Sequence, residues 1–197
     1  LDKNLVDNYK KMKFTIKSEV DKFRESIYQN VENTLNNLDL NKDKVFSINV
    51  PTGTGKTLTS LNTALKLRDK LGLNNRIIYT LPFTSVIDQN FSVFEEVLGD
   101  LANDSSVLLK HHYLTRKEYK TNEAEVYEYD ISKYLIENWD SEIVVTTFVQ
   151  MINSIFSNKN KNLKKYHNLA NSIIILDEVQ SIPYKYWKLV NNTLKKM

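Results

Sequence analysis

A glycine turn set between a β-branched run and a helical repeat constrains this chain more than any other feature. Val50-Pro51-Thr52-Gly53-Thr54-Gly55-Lys56-Thr57 follows the run Val45 to Val50 and precedes Leu58, Leu61, Ala64, Leu65 and Leu71, which recur at helical spacing. The turn matches the second half of the phosphate-binding loop G-x-x-x-x-G-K-[ST], with Val50 where the first glycine would stand. Such a loop curls successive backbone N–H groups around a phosphate, needs bare positions at Gly53 and Gly55, and gains positive potential from the helix start. Thr52, Gly53, Thr54, Gly55, Lys56 and Thr57 are therefore the expected nucleotide-binding loop. Lys56 would reach the β- and γ-phosphates of ATP, and the Thr57 hydroxyl would ligate Mg2+. The plain alternative is a glycine turn with an exposed lysine.

The rest of the chain has the texture of an α/β layered domain. Short β-branched runs at Val45 to Val50, Arg76 to Leu81, Ser106 to Leu109, Ile143 to Thr146 and Ser172 to Leu176 read as strands. Ile143-Val144-Val145 and Ile173-Ile174-Ile175-Leu176 do not alternate, as expected of parallel strands covered on both faces. Helical periods fill the gaps: Ile87, Phe91, Phe94 and Leu98 after the second run, and Phe148, Met151, Ile152, Ile155 and Phe156 after the fourth. Ahead of them, Ile16, Val20, Phe23, Ile27, Val31, Leu35 and Leu38 form the stripe of a first amphipathic helix. The stretch Tyr113 to Asp130 has no period and reads as a surface excursion, with a helix around Tyr127 to Glu137. Pro51, Pro82 and Pro183 and the two loop glycines mark the carboxyl edge of the predicted sheet, where ligands of open α/β sheets bind.

The run Ile173 to Leu176 delivers two adjacent carboxylates, Asp177 and Glu178, to that edge. A carboxylate at the first position suits a Mg2+ ion, directly or through water, and one at the second suits orientation and deprotonation of the water that attacks a γ-phosphate. An acidic pair after a strand also occurs as an ordinary turn; beside a phosphate loop it has a task.

Asp177-Glu178-Val179-Gln180 resembles motif II of superfamily 2 helicases, with Gln180 in place of His or Asp. That departure is accompanied by Arg76 to Ser85, Leu108 to His112, Glu137-Asn138-Trp139-Asp140, Val144 to Gln150 and Asn168 to Pro183. Together they resemble the CRISPR-associated helicase–nucleases of type I interference systems, from about Ile16 to Pro183. The resemblance implies a RecA-like P-loop NTPase lobe, a mostly parallel sheet sandwiched by helices, spanning 45–197 behind an N-terminal helical lead-in, 1–44. It implies motif I at Thr52 to Thr57, motif Ia at Pro82, Phe83, Thr84 and Ser85, motif Ib at Thr146 and Thr147, and motif II at Asp177 to Gln180. Lys56, Glu178 and Gln180 would be the catalytic set, Gln180 sensing the γ-phosphate; Thr57 and Asp177 would hold Mg2+. Motifs Ia and Ib would grip single-stranded DNA, although Thr or Ser at a helix start also serves as a simple cap.

The implied activity is ATP-dependent translocation on single-stranded DNA in type I CRISPR interference, with the interference complex, a second RecA-like lobe and an HD nuclease domain as partners. Neither of those two domains is expected within these residues, and an isolated first lobe would hydrolyse ATP poorly. Two alternatives stay open: the motor lobe of a restriction or DNA-repair translocase, and a non-catalytic nucleotide-binding or docking module.

Composition excludes other classes. The 197 residues contain no Cys, 4 Gly and 3 Pro, which removes disulfide scaffolds, cysteine-built zinc sites and collagen-like repeats. No apolar run approaches the roughly 20 residues of a membrane span, and Leu1 to Lys11 lacks the pattern of a signal peptide, so a cytosolic protein is expected, excised from a longer one. With 27 basic against 24 acidic residues the net charge is only +3, too small a field to argue for nucleic acid by itself. The local excess Lys159, Lys161, Lys164 and Lys165 reads as a solvated loop. Arg24 and Gln29 stand where such helicases often read adenine, but need no role beyond a helix surface. His111, His112 and His167 lack the following Asp of an HD nuclease, and Phe83 and Phe148 fit core packing better than base stacking.

Overall fold

The structure, a computed structural model, describes residues 1–40, 42, 44–112, 129–157 and 163–194. Its internal contacts divide the chain into two units, Leu1–Asn74 and Asn75–Met197.

The first unit is three helices. α1 (Leu5–Lys13) arises from a segment too polar to read as a helix from sequence, and α2 (Glu19–Asn36) begins later than the predicted stripe. The start of α2 is set by Ser18, whose hydroxyl accepts from the Asp21 N–H at 3.1 Å while the Asp21 carboxylate accepts from the Ser18 N–H at 3.0 Å, a reciprocal capping box. α3 (Lys56–Leu71) starts and stops on left-handed glycines, Gly55 and Gly72. Val6, Tyr28, Leu35, Leu61, Ala64 and Leu65 are the buried apolar residues of this unit. Lys70 of α3 donates to the carbonyls of Leu35, Asn36 and Leu38, so a cation neutralises the carbonyl end of α2. The amino-terminal part of the predicted stripe, Ile16, Val20 and Phe23, is exposed.

The expected first strand does not form. Residues 44–50 make no ladder, and Val45 and Phe46 are exposed. A strand exists through its partners, and β-branched composition supplies no hydrogen bonds by itself.

The second unit is built on a parallel sheet in the order β2-β3-β1-β4, with β1 (Ile77–Leu81), β2 (Leu108–His111), β3 (Ile143–Thr147) and β4 (Ile173–Leu176). β2 lies two residues further along than its apolar run, because the turn at Asp104 to Val107 takes up Ser106: the Asp104 carboxylate accepts from both its N–H and its hydroxyl. The helices are α4 (Thr84–Leu98), α5 (Tyr129–Asn138), α6 (Phe148–Phe156), α7 (Tyr166–Leu169) and α8 (Tyr184–Leu194). β1 and β3 are buried at every position, which explains their continuous apolar runs.

Strand alternation then sorts the core. Ile78, Leu109 and Val144 face one side and pack with Ile136 of α5, Trp139, Met151 of α6 and Leu169 of α7. On the other side Tyr79 meets Phe94 of α4 edge to face, 5.0 Å between ring centroids. Helices therefore cover both faces, as the α/β reading requires. Trp139 ends α5 in a left-handed conformation, φ 59°, with its side chain fully buried, a position glycine usually fills.

Of the lysine-rich stretch, Lys159 and Lys161 lie outside the described residues, as does the 113–128 part of the predicted excursion. Lys165 contradicts the solvated-loop reading: it is buried, its ammonium 3.3 Å from the Gln150 side-chain oxygen and 5.1 Å from the centre of the Trp139 ring. A cation over an indole face with an amide oxygen beside it tolerates that burial.

Candidate functional site

In the first unit the glycine loop, Pro51 to Thr57, is closed by its own side chains. The buried Thr54 hydroxyl donates to the Pro51 carbonyl at 2.7 Å, and Thr59 donates to the Gly55 carbonyl. Gly53 and Gly55 have φ of 77° and 84°, and a Cβ added to either would meet nothing within 4 Å. Backbone conformation, rather than crowding by the chain, therefore requires glycine at both. Lys56 opens α3 and is partly exposed beside Thr57. Arg24, weighed as an adenine reader, instead donates from Nε to the Gly53 carbonyl at 2.9 Å. It ties α2 to the loop, a role that no motif announces.

An ionic cluster supports this unit beneath the loop helix. Asp7 accepts from the Tyr28 hydroxyl at 2.7 Å and pairs with Lys66 at 2.9 Å; Lys66 also bonds Glu32. Lys10 pairs with Glu25 at 2.8 Å and lies 3.1 Å over the Tyr28 ring. Burial alone would raise the Asp7 carboxyl, but the bonds from Tyr28 and Lys66 outweigh it and hold Asp7 below its ordinary value. Burial and the neighbouring Asp7 carboxylate push the Tyr28 phenol well up.

In the second unit the parallel register brings the other segments to one sheet edge. Leu81 pairs with Thr147, Thr80 with Leu176 and His111 with Thr146, so the exits of all four strands align. Pro82 to Ser85 leave β1, α6 leaves β3 and the acidic pair leaves β4 at that edge.

Asp177 is held at both oxygens. Oδ2 accepts from the Tyr79 hydroxyl at 2.6 Å and Oδ1 from the Glu178 N–H at 2.9 Å. Glu178 sits in the left-handed region, φ 54°, where an L side chain costs about 1–2 kcal/mol. Strain of this kind concentrates at functional positions. The Gln180 amide donates to the Glu178 carboxylate, so in this conformation Gln180 orients its acidic neighbour.

The two helix starts differ. Thr147 caps α6, its hydroxyl accepting from the Gln150 N–H at 3.2 Å, and Thr146 is fully buried with its hydroxyl given to the His111 carbonyl at 2.7 Å. At α4 the cap position is Phe83, which offers no side-chain oxygen, so Thr84 and Ser85 do not act as the simple caps of the plain reading. Phe83 is 62% exposed, which corrects the core-packing expectation, while Phe148 is buried as expected. Pro82 is partly exposed beside it.

The donor set suits a hard cation that brings its own ligands. Among the described residues no group of three or more His, Asp or Glu side chains could cage a metal. Mg2+ commonly takes one or two protein oxygens and completes its shell with phosphate and water, and in the second unit the Asp177 carboxylate supplies an oxygen of that kind. No described helix is long and apolar enough to cross a membrane.

Comparison with known proteins gives two findings. The family described as "Type III restriction enzyme, res subunit" matches residues 19–197. The chain is also similar to the "CRISPR-associated nuclease/helicase Cas3" of Haloferax volcanii, 34% identical over 160 residues, which covers 76% of this chain and 17% of the relative. The chain thus spans about a sixth of the length of that curated relative.

Proposed function

The chain belongs to the type III restriction enzyme res subunit family, and from that premise we propose that it is the ATP-binding and hydrolysing RecA-like lobe of a single-stranded DNA translocase acting in type I CRISPR interference. One observation carries the proposal: the parallel sheet delivers the acidic pair and the segments read as motifs Ia and Ib to the same edge, with Asp177 and Glu178 already held by neighbours.

The residue roles follow from their chemistry. Amides of Gly53 to Thr57 and the Lys56 ammonium bind the phosphates of ATP. Thr57 and Asp177 are the oxygens that would hold Mg2+, which when bound neutralises charge developing on the phosphates. Glu178 takes the proton of the attacking water, and the Gln180 amide fixes the carboxylate that receives it. Phe83, Thr84 and Ser85, exposed or partly exposed at the open start of α4, contact the DNA strand together with Pro82. Thr147 and the N-terminal amides of α6 supply a second phosphate contact, with Thr146 bracing β3 beneath. Full turnover belongs to the longer protein, where a second lobe and an arginine finger complete the site, and an HD nuclease and the interference complex are the partners in the pathway.

The test is DNA-stimulated ATP hydrolysis by the full-length protein. Lys56→Ala should lose nucleotide binding, and Glu178→Gln should bind ATP normally yet not turn it over. Undiminished turnover in Glu178→Gln refutes the base assignment, and unchanged nucleotide affinity in Lys56→Ala refutes the phosphate loop.

A further inference from the structure

The bond from Tyr79 to Asp177 reaches the acidic pair from outside every motif. Tyr79 lies in the middle of β1, fully buried, between β3 and β4 and in register with Val145 and Ile175. Two ladders fix its backbone, and Phe94 fixes its ring at 5.0 Å and 85°. An aliphatic residue would fill an apolar strand without bringing a polar atom, and a buried hydroxyl costs stability unless its O–H is bonded. That O–H reaches Asp177 Oδ2 at 2.6 Å, while Oδ1 is occupied by the Glu178 N–H at 2.9 Å.

Asp177 stands one residue past the end of β4, where a carboxylate on an open turn could rotate about its side-chain bonds. A donor anchored in the central strand removes that freedom. Each carboxylate oxygen retains lone pairs beyond the one used, so the bond orients the group without blocking it as a ligand.

We propose that Tyr79 is a positioning residue for the metal-binding carboxylate, fixing the orientation in which Asp177 meets Mg2+. The inference rests on the reading of Asp177 as the Mg2+ ligand. Because the hydroxyl contributes preorganisation, its removal weakens the coupling between metal and nucleotide and leaves metal-free nucleotide binding alone.

The experiment measures the affinity of a fluorescent ATP analogue for the full-length protein in Mg2+ and in EDTA, for the wild type, Tyr79→Phe and Asp177→Asn. Phenylalanine keeps the packing against Phe94 and deletes one oxygen. The Mg2+ advantage should fall about tenfold in Tyr79→Phe, the size of one hydrogen bond to a charged group, with the EDTA affinity unchanged. Asp177→Asn should lose at least as much. Retention of the full Mg2+ advantage by Tyr79→Phe, while Asp177→Asn loses it, overturns the role of Tyr79 alone. An equal loss with and without metal marks Tyr79 as merely structural and overturns it too. If Asp177→Asn also keeps the advantage, the metal assignment falls and takes this inference with it.

Discussion

The Gln180 side-chain amide donates to the carboxylate of Glu178, two residues earlier in the chain. Gln180 is exposed, and it stands in the short 3-10 turn Val179–Ser181 that follows the left-handed Glu178. A histidine or aspartate at this position would interact with Glu178 differently: an amide donates without titrating near neutral pH, whereas a carboxylate repels. Gln180→Ala in the full-length protein is expected to lower kcat about tenfold, the equivalent of one charge-assisted bond of ~1.4 kcal/mol, with little effect on KM. Steady-state ATPase kinetics check it; a raised KM at unchanged kcat would assign Gln180 to substrate binding instead.

Glu178→Gln should preserve shape and hydrogen-bonding reach while removing the base. A drop in kcat of about 10²- to 10⁴-fold, with ATP affinity intact, is the expected signature. Single-turnover hydrolysis alongside equilibrium nucleotide binding separates chemistry from affinity.

Arg24 braces the glycine loop through the Gly53 carbonyl at 2.9 Å, from a side chain half open to solvent. Arg24→Ala should weaken nucleotide binding up to about tenfold, in line with one solvent-exposed hydrogen bond, and Arg24→Lys should not restore the Nε contact. Titration with ATP reads both. If ATP and GTP lose affinity equally, Arg24 acts on the loop; a loss confined to ATP would make it an adenine reader.

Gly55 heads α3 at φ 84°, and a Cβ added there would meet nothing within 4 Å. Gly55→Ala therefore meets only the conformational penalty of about 1–2 kcal/mol. Thermal denaturation should show that cost without the larger loss expected of a steric clash.

The Asp7 cluster makes the helical unit sensitive to acid. A carboxyl held below its ordinary value of 3.8 contributes stability that is complete above that value and is lost as pH falls through the lower folded one. Lys66, which burial would lower but Glu32 and Asp7 raise, acts at the other end: its share is complete below 10.5 and fades as pH rises through the higher folded value. Helical circular dichroism recorded below pH 4 should fall in the wild type and fall less steeply in Asp7→Asn, whose mid-range stability is already reduced. Parallel acid curves for the two proteins would show that Asp7 is not the group responsible.

Much of the architecture was legible because the signals were local. Continuous apolar runs announced β1, β3 and β4, and periods of three and four announced α4 and α6; a strand buried on both faces and a helix buried on one leave those marks in any order-preserving reading. The turn at Gly53 and Gly55 was legible through glycine placement, and both residues take positive φ. Residues 44–50 read as a strand from composition alone, yet ladder formation depends on a partner's edge. α1 went unseen because its segment buries only Val6 and carries Asp7, Asn8, Lys10, Lys11 and Lys13 among its residues.

Chemical identity came from the chain order of residues: two glycines before a lysine, two carboxylates after an apolar run, a glutamine where relatives of the motif carry His or Asp. What tertiary structure alone decided was which neighbours those groups meet. Tyr79 and Asp177 are 98 positions apart, and only the parallel register of β1 with β4 brings the phenol to the carboxylate. The same holds for Lys165, a surface lysine by composition and a buried one by its place beside Trp139 and Gln150. Side-chain type is a property of one position, whereas orientation and burial are properties of contacts between segments that the linear order does not specify.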